Sequence, residues 1–216
     1  MEVFATEAAT AAYADLVGRA PRWTLVEPRA LGSLSDSVTP AGVVALCRFV
    51  DLPLDAVLTP RPDLVVVCAD VRDPGNAGTV VRTADAAGAG AVVLAGTSVD
   101  AYNPKTVRAT VGSLFHVPLA VAPDPAEAVL AARSAGLTVL AADGGGEVDL
   151  DAADILLAGP TAWLFGNEAH GLPTDLAALA DHRVRIPIHG RAESLNLSTA
   201  AAVCLYASAR VQRRTR

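Results

Sequence analysis

From residue 64 to the end of the chain, short apolar runs alternate with longer segments whose apolar residues recur at helical spacing. The run LVVVCADV at 64–71 is rich in valine and nearly uninterrupted, as in a strand that is buried on both faces of a sheet. Further apolar runs predict strands at AVVLAG, HVPLAVA, LTVLAAD, WLFG and RVRIPI. This alternation predicts an α/β domain with a mostly parallel sheet and helices on both faces.

The segments between these runs have the spacing of helices. They are AGTVVRTADAAGA, the second part of YNPKTVRATVGSLF, PAEAVLAARSAG, LPTDLAALA and the final segment after residue 197. The turn sequence DPGN ends the first strand, and Asn76 is the expected N-cap of the helix that follows.

Residues 1–57 have a different organisation, which predicts a short α+β unit. A helical pattern at 6–17 precedes a short strand at TLVEP, and SLSDSVTPAGVVALCRFV predicts a turn followed by a strand. The prolines within 52–63 indicate a linker. We therefore predict two domains, 1–57 and 58–216. The first is too small for a core of its own, so either it packs on the second or it is part of a domain that begins upstream.

Composition narrows the class of protein. A length of 216 residues suits one full domain with a small addition. No apolar run approaches the roughly 18 residues of a membrane-spanning helix, and no secretory signal is recognisable at the start. The three cysteines are scattered and odd in number, so we expect no disulfide framework, three small core residues and a cytoplasmic location. The four histidines lack metal-ligand spacing, so no metal site is expected.

The net charge bears on whether the protein binds nucleic acid. A net charge of −6 disfavours binding of nucleic acid by bulk electrostatic attraction, although a local basic surface remains compatible with it. Arginine supplies 16 of the 17 cationic side chains, and arginine is the better bidentate ligand for phosphate. The tail RVQRRTR is one such concentration, or simply a solvated helix end.

Polar side chains are concentrated in two loops that follow strands late in the chain, FGNEAHGL and ESLNLSTAAA. Open α/β sheets bind their ligands at the carboxyl ends of strands. Ser194 or Asn196 could cap the last helix, but one residue is enough for a cap, so the surplus of polar residues favours a ligand-facing role. The DGGG stretch at 143–146 is either a surface turn or a close approach of backbone to ligand. The chain has no dinucleotide fingerprint, P-loop or serine-hydrolase elbow.

Three of these stretches, taken in order, resemble a known family. DPGNAGTVVRTADAAG, LFGNEAHGL and IPIHGRAESLNLSTAAA are similar to the three motifs of the SpoU (TrmH-type) RNA 2′-O-ribose methyltransferases of the SPOUT superfamily. The resemblance covers about residues 64–211 and includes the intervening stretch YNPKTVRATVGSLFHVPL. LSDSVTPAGVVALC resembles the end of the small substrate-binding domain of ribosomal-RNA members, in which that domain is longer.

The resemblance implies transfer of a methyl group from S-adenosylmethionine to a ribose 2′-hydroxyl of structured RNA, with ribosomal RNA favoured. It also implies a C-terminal trefoil knot and a homodimer that forms around the site. Two sets of residues carry over from the family motifs: Asn76, Arg82, Glu168, Ser194 and Asn196 around the reacting centre, and Ala142, Gly166, Ile186 and Leu195 around the methyl donor.

A guanidinium is almost never deprotonated in proteins, so we expect Arg82 to clamp the ribose or an adjacent phosphate and to stabilise the developing oxyanion. Glu168 would orient Arg82 or Asn76. The alternatives are a non-catalytic RNA- or ribosome-binding protein that retains the donor pocket, and a transfer-RNA 2′-O-methyltransferase. A conventional Rossmann-type methyltransferase would need a glycine-rich loop where this chain has DPGN.

Overall fold

The computed structural model describes residues 1–35, 37 and 40–214, and the chain divides into two compact units, Met1–Phe49 and Val50–Arg216. The division lies eight residues before the boundary that the sequence predicts, between residues 57 and 58. The reason is that the first part of the linker belongs to the second unit: the Leu52 amide donates a hydrogen bond to the Leu119 carbonyl (2.8 Å), and Val57 is buried in that unit's core.

The first unit contains a three-stranded sheet in the order β2–β1–β3, in which β1 is parallel to β2 and antiparallel to β3. Its elements are β1 (Glu2–Ala5), α1 (Glu7–Ala12), α2 (Ala14–Val17), β2 (Trp23–Leu25), α3 (Pro28–Ser33) and β3 (Val43–Leu46). The sequence predicted the helical segment and two of the strands, and it missed β1 and α3, which are too short to show a clear period. In the stretch that resembles the family's substrate-binding domain, Asp36, Val38 and Thr39 lie outside the described residues.

The second unit is built on a seven-stranded sheet in the order β6–β5–β4–β9–β7–β10–β8, and every pairing between these strands is parallel. The strands are β4 (Leu64–Ala69), β5 (Ala91–Ala95), β6 (Leu119–Ala122), β7 (Thr138–Ala142), β8 (Val148–Asp149), β9 (Thr161–Phe165) and β10 (His182–Arg185). The helices are α4 (Leu54–Val57), α5 (Pro74–Ala87), α6 (Pro104–Thr110), α7 (Pro125–Ser134), α8 (Asp154–Leu157), α9 (Thr174–Ala177) and α10 (Leu197–Arg214). Short 3-10 turns occur at Ser113–Phe115 and Leu150–Ala152. The predicted α/β fold with a mostly parallel sheet is confirmed.

Alternate side chains of β4 enter two different cores, because successive residues of a strand point to opposite faces of the sheet. Leu64, Val66 and Cys68 belong to the cluster that contains residues of α5 and α10. Val65 and Val67 belong to the cluster that contains residues of α7. The prediction of helices on both faces is thereby confirmed, and the valine-rich run is explained by burial on both sides.

The cysteines differ from the prediction that all three lie in the core. Cys68 and Cys204 are buried, and Cys47 is exposed. Burial, with a smaller contribution from the charge of Glu168, raises the pKa of Cys68 to about 12. Burial likewise raises the pKa of Cys204. Both buried thiols are therefore protonated at neutral pH and chemically quiet. None of the described helices combines the length and the apolar character that crossing a membrane requires.

Candidate functional site

A cavity of about 370 Å³ opens at the carboxyl ends of β7, β9 and β10. Its walls are the ends of these strands and the loops that follow them, together with the start of α10. The lining residues are Ala142, Asp143, Gly144, Phe165, Gly166, Asn167, Glu168, Ala169, Gly171, Val184, Ile186, Ile188, Glu193, Ser194, Leu195, Leu197 and Ala200. The volume lies in the range of small-molecule sites. All four residues that the resemblance placed around the methyl donor are among those that line the cavity.

The loop after β9 closes on itself and forms one wall of the cavity. The backbones of Asn167 and Gly171 exchange hydrogen bonds of 3.0 and 2.8 Å. Gly171 has a φ of +68°, which favours glycine, and a Cβ at Gly166 would overlap the carbonyl group of Gly171. The two glycines that flank the Asn-Glu pair are thus required for the loop to turn back so tightly. As a result, Glu168 lies next to the start of α5.

The start of α5 corrects one prediction. Asn76 is not the N-cap, because Pro74 occupies the first turn and the Asp73 side chain caps the helix by accepting from the Asn76 amide (2.8 Å). The Asn76 side chain therefore remains available for other contacts. Its Nδ2 donates to Glu168 Oε1 (3.2 Å), and its Oδ1 accepts from Asn196 Nδ2 (3.0 Å).

The Glu168 carboxylate is held at the amino end of α5. Its two oxygens accept from the backbone amides of Arg72 (3.2 Å) and Asp73 (3.0 Å) as well as from Asn76. Burial opposes ionisation of this carboxyl group, but hydrogen bonds from backbone amides, including those of Arg72 and Asp73, and from the Asn76 side chain outweigh it and lower the pKa of Glu168. Glu168 is therefore an acceptor and an orienting group at neutral pH.

Asn196 both caps the last helix and contacts another residue of the site, which are the two roles that the sequence left open for this region. Its Oδ1 accepts from the Ser198 backbone amide (2.9 Å) and hydroxyl (2.7 Å), which caps α10, while its Nδ2 reaches Asn76. Ser194 lines the cavity. Three distant parts of the chain thus meet through the side chains of Glu168, Asn76 and Asn196.

Arg82 lies apart from this group. It is exposed, it does not line the cavity, and it forms no hydrogen bond or ion pair within the described part of the chain. It follows Asn76 by six residues, which is a rotation of about 240° around the helix axis, so the two side chains project from different sides of α5. Of the two partners expected for Glu168, Arg82 and Asn76, the structure brings only Asn76 into contact with it.

Sequence reasoning missed Asp143, which lies beside the donor residues. It follows Ala142 and lines the cavity, and its Oδ1 accepts from the Gly145 amide (2.8 Å). The DGGG stretch was the available signal. No lysine, arginine or histidine occurs among the described lining residues, whereas Asp143, Glu168 and Glu193 each present a carboxyl group. Asp143 pairs with Arg183 (3.7 Å) and Glu168 is hydrogen-bonded to α5, so Glu193 is the carboxylate in the wall that remains to favour a ligand with positive charge.

Comparison with known proteins agrees with this arrangement. The family model described as the SpoU rRNA Methylase family matches residues 63–206. The chain belongs to this family. Its members in the comparison include the 23S rRNA (uridine(2479)-2′-O)-methyltransferase of Streptomyces viridochromogenes, which is 38% identical over 79% of this chain and 61% of that protein. The 23S rRNA (guanosine(2553)-2′-O)-methyltransferase RlmP of Bacillus subtilis is 35% identical over 82% of this chain and 68% of that protein.

The match therefore spans less than two thirds of the Streptomyces relative's length. Among solved structures, the SpoU methyltransferase AviRb from Streptomyces viridochromogenes in complex with the cofactor AdoMet superposes with a TM-score of 0.86. It is 32% identical, and the superposition covers 100% of this chain and 83% of that one. The family that the sequence motifs suggested and the α/β fold with a mostly parallel sheet are thus both confirmed.

Proposed function

We propose that the chain transfers a methyl group from S-adenosylmethionine to a ribose 2′-hydroxyl of ribosomal RNA. The observation that carries the proposal is the hydrogen-bonded group Glu168–Asn76–Asn196 beside a cavity lined by Ala142, Gly166, Ile186 and Leu195. The names of the Streptomyces and Bacillus relatives, which specify 23S rRNA, support the choice of substrate.

The cavity fits the methyl donor in its charge and in its shape. The carboxyl groups of Asp143 and Glu193 lie in the walls. Asp143 Oδ2 is 3.7 Å from Arg183 Nη1, whereas Glu193 forms no ion pair within the described residues, and this carboxylate favours a ligand that carries a sulfonium and an ammonium group. Gly166 presents bare backbone, and Ile186 and Leu195 supply apolar surface. We propose that these residues hold the donor in a complex of the same kind as that of AviRb with AdoMet.

The donor supplies an already activated methyl group, so the protein must mainly align the acceptor oxygen and stabilise the charge that develops on it. We propose that Asn76 directs its amide towards the ribose, because Glu168 and Asn196 fix its orientation from two sides. Ser194, in the cavity wall, would contact the donor or the acceptor hydroxyl. Arg82 would clamp the ribose or its phosphate and stabilise oxyanion character while it remains protonated.

Arg82 requires a second chain for this role, because it projects away from Asn76 in its own chain. We therefore propose a homodimer in which Arg82 of one copy completes the cavity of the other, and which acts on RNA in the cytoplasm. The trefoil knot near the C-terminus and the role of the N-terminal unit in substrate binding belong to the same proposal. The knot is a topological property that the resemblance implies.

The experiment is methyl incorporation from labelled S-adenosylmethionine into unmodified ribosomal and transfer RNA. Wild type is compared with Arg82→Ala and with Arg61→Ala, an arginine just before the amino end of β4, whereas the cavity lies at the carboxyl ends of the strands. We expect 2′-O-methylation of ribosomal RNA by wild type, a loss of about 100-fold in Arg82→Ala with unchanged donor affinity, and little change in Arg61→Ala.

The other outcomes separate the alternatives. Methylation of transfer RNA alone would replace the proposed substrate class. Donor binding without incorporation into either RNA would contradict the enzymatic proposal and favour a binding protein that has kept its pocket. Full turnover by Arg82→Ala would contradict the role of Arg82.

A further inference from the structure

The loop Gly166–Gly171 decides the geometry of the site, since it supplies part of the cavity wall and also carries Glu168. The internal turn of the loop does not by itself determine where the loop lies relative to the neighbouring strands. An anchor outside the loop is therefore needed. The structure contains such an anchor, a hydrogen bond between Asn167 in the loop and Asp70 outside it. Neither residue is among the site residues that the family motifs imply.

Asn167 is the link between the loop and the rest of the sheet. Its Oδ1 accepts from the backbone amides of Ala169 (2.9 Å) and His170 (3.3 Å), which stabilises the turn. Its Nδ2 donates to the main-chain carbonyl of Asp70 (2.8 Å), directly after β4. One half-buried side chain therefore holds the shape of the loop with one atom and its position with another.

Asp70 is itself held in an unusual conformation. Its φ is +57°, in the left-handed region that few residues other than glycine, asparagine and aspartate adopt. Its Oδ1 accepts from the Thr97 amide (2.7 Å) and the Thr97 hydroxyl (2.8 Å), in the segment after β5. A Cβ at Gly96 would lie 2.5 Å from the same oxygen, so this segment has room for the Asp70 carboxylate only because residue 96 is glycine.

We propose that Asp70 and Asn167 are positioning residues for the transfer reaction. Thr97 holds the Asp70 carboxylate, this contact fixes the backbone turn that directs the Asp70 carbonyl towards Asn167, and Asn167 sets the loop so that Gly166 faces the donor and Glu168 reaches α5. The proposal rests on the proposed function, because it assigns the loop to donor binding. It goes beyond that function by naming the residues that determine the donor-binding geometry.

Four variants of the full chain test the proposal. Asn167→Ala removes the link, and Asp70→Ala removes the contacts with Thr97 and disfavours the positive φ. Asp70→Asn is the conservative variant, since asparagine tolerates this conformation and keeps an oxygen for Thr97. Ser98→Ala is the matched control: its hydroxyl bonds to the Val71 amide (3.0 Å) and the Ala95 carbonyl (2.7 Å) in the same region but does not contact the loop.

The measurements are calorimetric affinity for S-adenosylhomocysteine and amide hydrogen exchange without ligand. We expect Asn167→Ala and Asp70→Ala to bind about tenfold more weakly, as loss of such hydrogen bonds predicts. Asp70→Asn and Ser98→Ala should stay within about twofold of wild type on the same grounds. Exchange should accelerate at residues 169–171 and at the amides of Arg72 and Asp73 in the first two variants only.

Unchanged affinity and unchanged exchange in Asn167→Ala would overturn the proposal. Equal losses in Ser98→Ala and Asn167→Ala would also overturn it, because the effect would then be one of general stability. If wild type itself binds neither S-adenosylhomocysteine nor S-adenosylmethionine, the proposed function fails, and the exchange comparison alone decides whether Asn167 and Asp70 position the loop.

Discussion

At the scale of single residues, the site is organised around one carboxylate. Glu168 accepts three hydrogen bonds from the amino end of α5 and thereby fixes both the loop after β9 and the Asn76 side chain. The amino end of a helix stabilises negative charge through its free amides and its dipole. The lowered pKa of Glu168 reflects these contacts, which more than compensate for its partial burial. The same carboxylate is therefore part of the site and part of the fold's stability.

This leads to a prediction for Glu168→Gln. A carboxyl group whose pKa is lower in the folded state stabilises the fold above its usual pKa, near 4.5, and that contribution is lost as pH falls through the folded-state value. In addition, the side-chain NH2 group of the introduced glutamine would face a backbone N–H group, so that two donors would oppose each other. We expect the variant to be less stable than wild type by about 1 kcal/mol at pH 7, allowing for solvent screening at this exposed position.

Urea unfolding at pH 7 and at about pH 3 checks this expectation. The difference between wild type and Glu168→Gln should become smaller at the lower pH, because the contribution of the carboxylate is lost as the pH falls through its lowered folded-state pKa. Glu193→Gln serves as the control, since Glu193 accepts no hydrogen bond within the described residues, and it should show little difference at either pH. A difference for Glu168→Gln that stays constant with pH would contradict the electrostatic account.

At the scale of elements, the position of α5 depends on its close packing against α6. A Cβ at Gly78 would lie 2.6 Å from both the Ala109 Cβ and the Thr106 carbonyl oxygen, so only glycine permits the two helices to approach this closely. The crossing also buries two threonines of α6, Thr106 and Thr110. The Thr110 hydroxyl donates to the Val107 carbonyl (2.7 Å), whereas the Thr106 hydroxyl is buried without a hydrogen-bond partner in the described part of the chain.

The two threonines form a matched pair for a stability measurement. Thr106→Val replaces an unpartnered buried hydroxyl by a methyl group of similar size, and we expect it to stabilise the protein by about 1 kcal/mol. Thr110→Val removes a satisfied hydrogen bond, and we expect it to destabilise by about 1 kcal/mol. Denaturant unfolding at neutral pH measures both. Changes of the same sign in the two variants would show that the hydroxyl contacts do not decide the effect.

At the scale of the whole molecule, the proposed homodimer explains the isolation of Arg82 and the apolar surface of α10. Val203 and Tyr206 are 39% and 54% exposed on that helix, which also begins at the cavity. Helix α10 packs against α5, the helix that carries both Asn76 and Arg82. A partner that covers α10 would thus lie next to the site, where a second Arg82 is needed.

The corresponding prediction concerns Tyr206→Glu, which places a charge in the proposed interface. We expect wild type to sediment as a dimer and the variant as a folded monomer that still binds S-adenosylhomocysteine but transfers no methyl group. Leu130→Glu is the control, because Leu130 is similarly exposed at 49% on α7, whose buried residues pack in the core on the other face of the sheet. A monomeric wild type with full activity would contradict the proposed dimer.

Several features of this protein were determined by local pattern. The nearly continuous apolar run 64–71 is typical of a strand that is buried on both faces. Helical segments that alternate with such runs are typical of a parallel sheet. The residues of the three motifs, together with their order and spacing, were sufficient to identify the family by resemblance. By contrast, β8 and α8 were missed because two and four residues are too few to show a period. Cys47 was placed in the core on residue type alone, and it is exposed.

The sequence by itself thus determined the longer elements, the mostly parallel sheet, the family and the four residues proposed for the donor, all of which line the cavity. Only the tertiary structure decided which of these residues meet. Asn76 and Asn196 are 120 positions apart, yet their side chains are in contact, because parallel strands place their carboxyl ends on the same side of the sheet and α10 packs against α5. The tertiary structure also separated Arg82 from Asn76 and assigned the N-cap to Asp73. Such outcomes depend on the orientation of side chains in three dimensions, which the pattern along the chain does not contain.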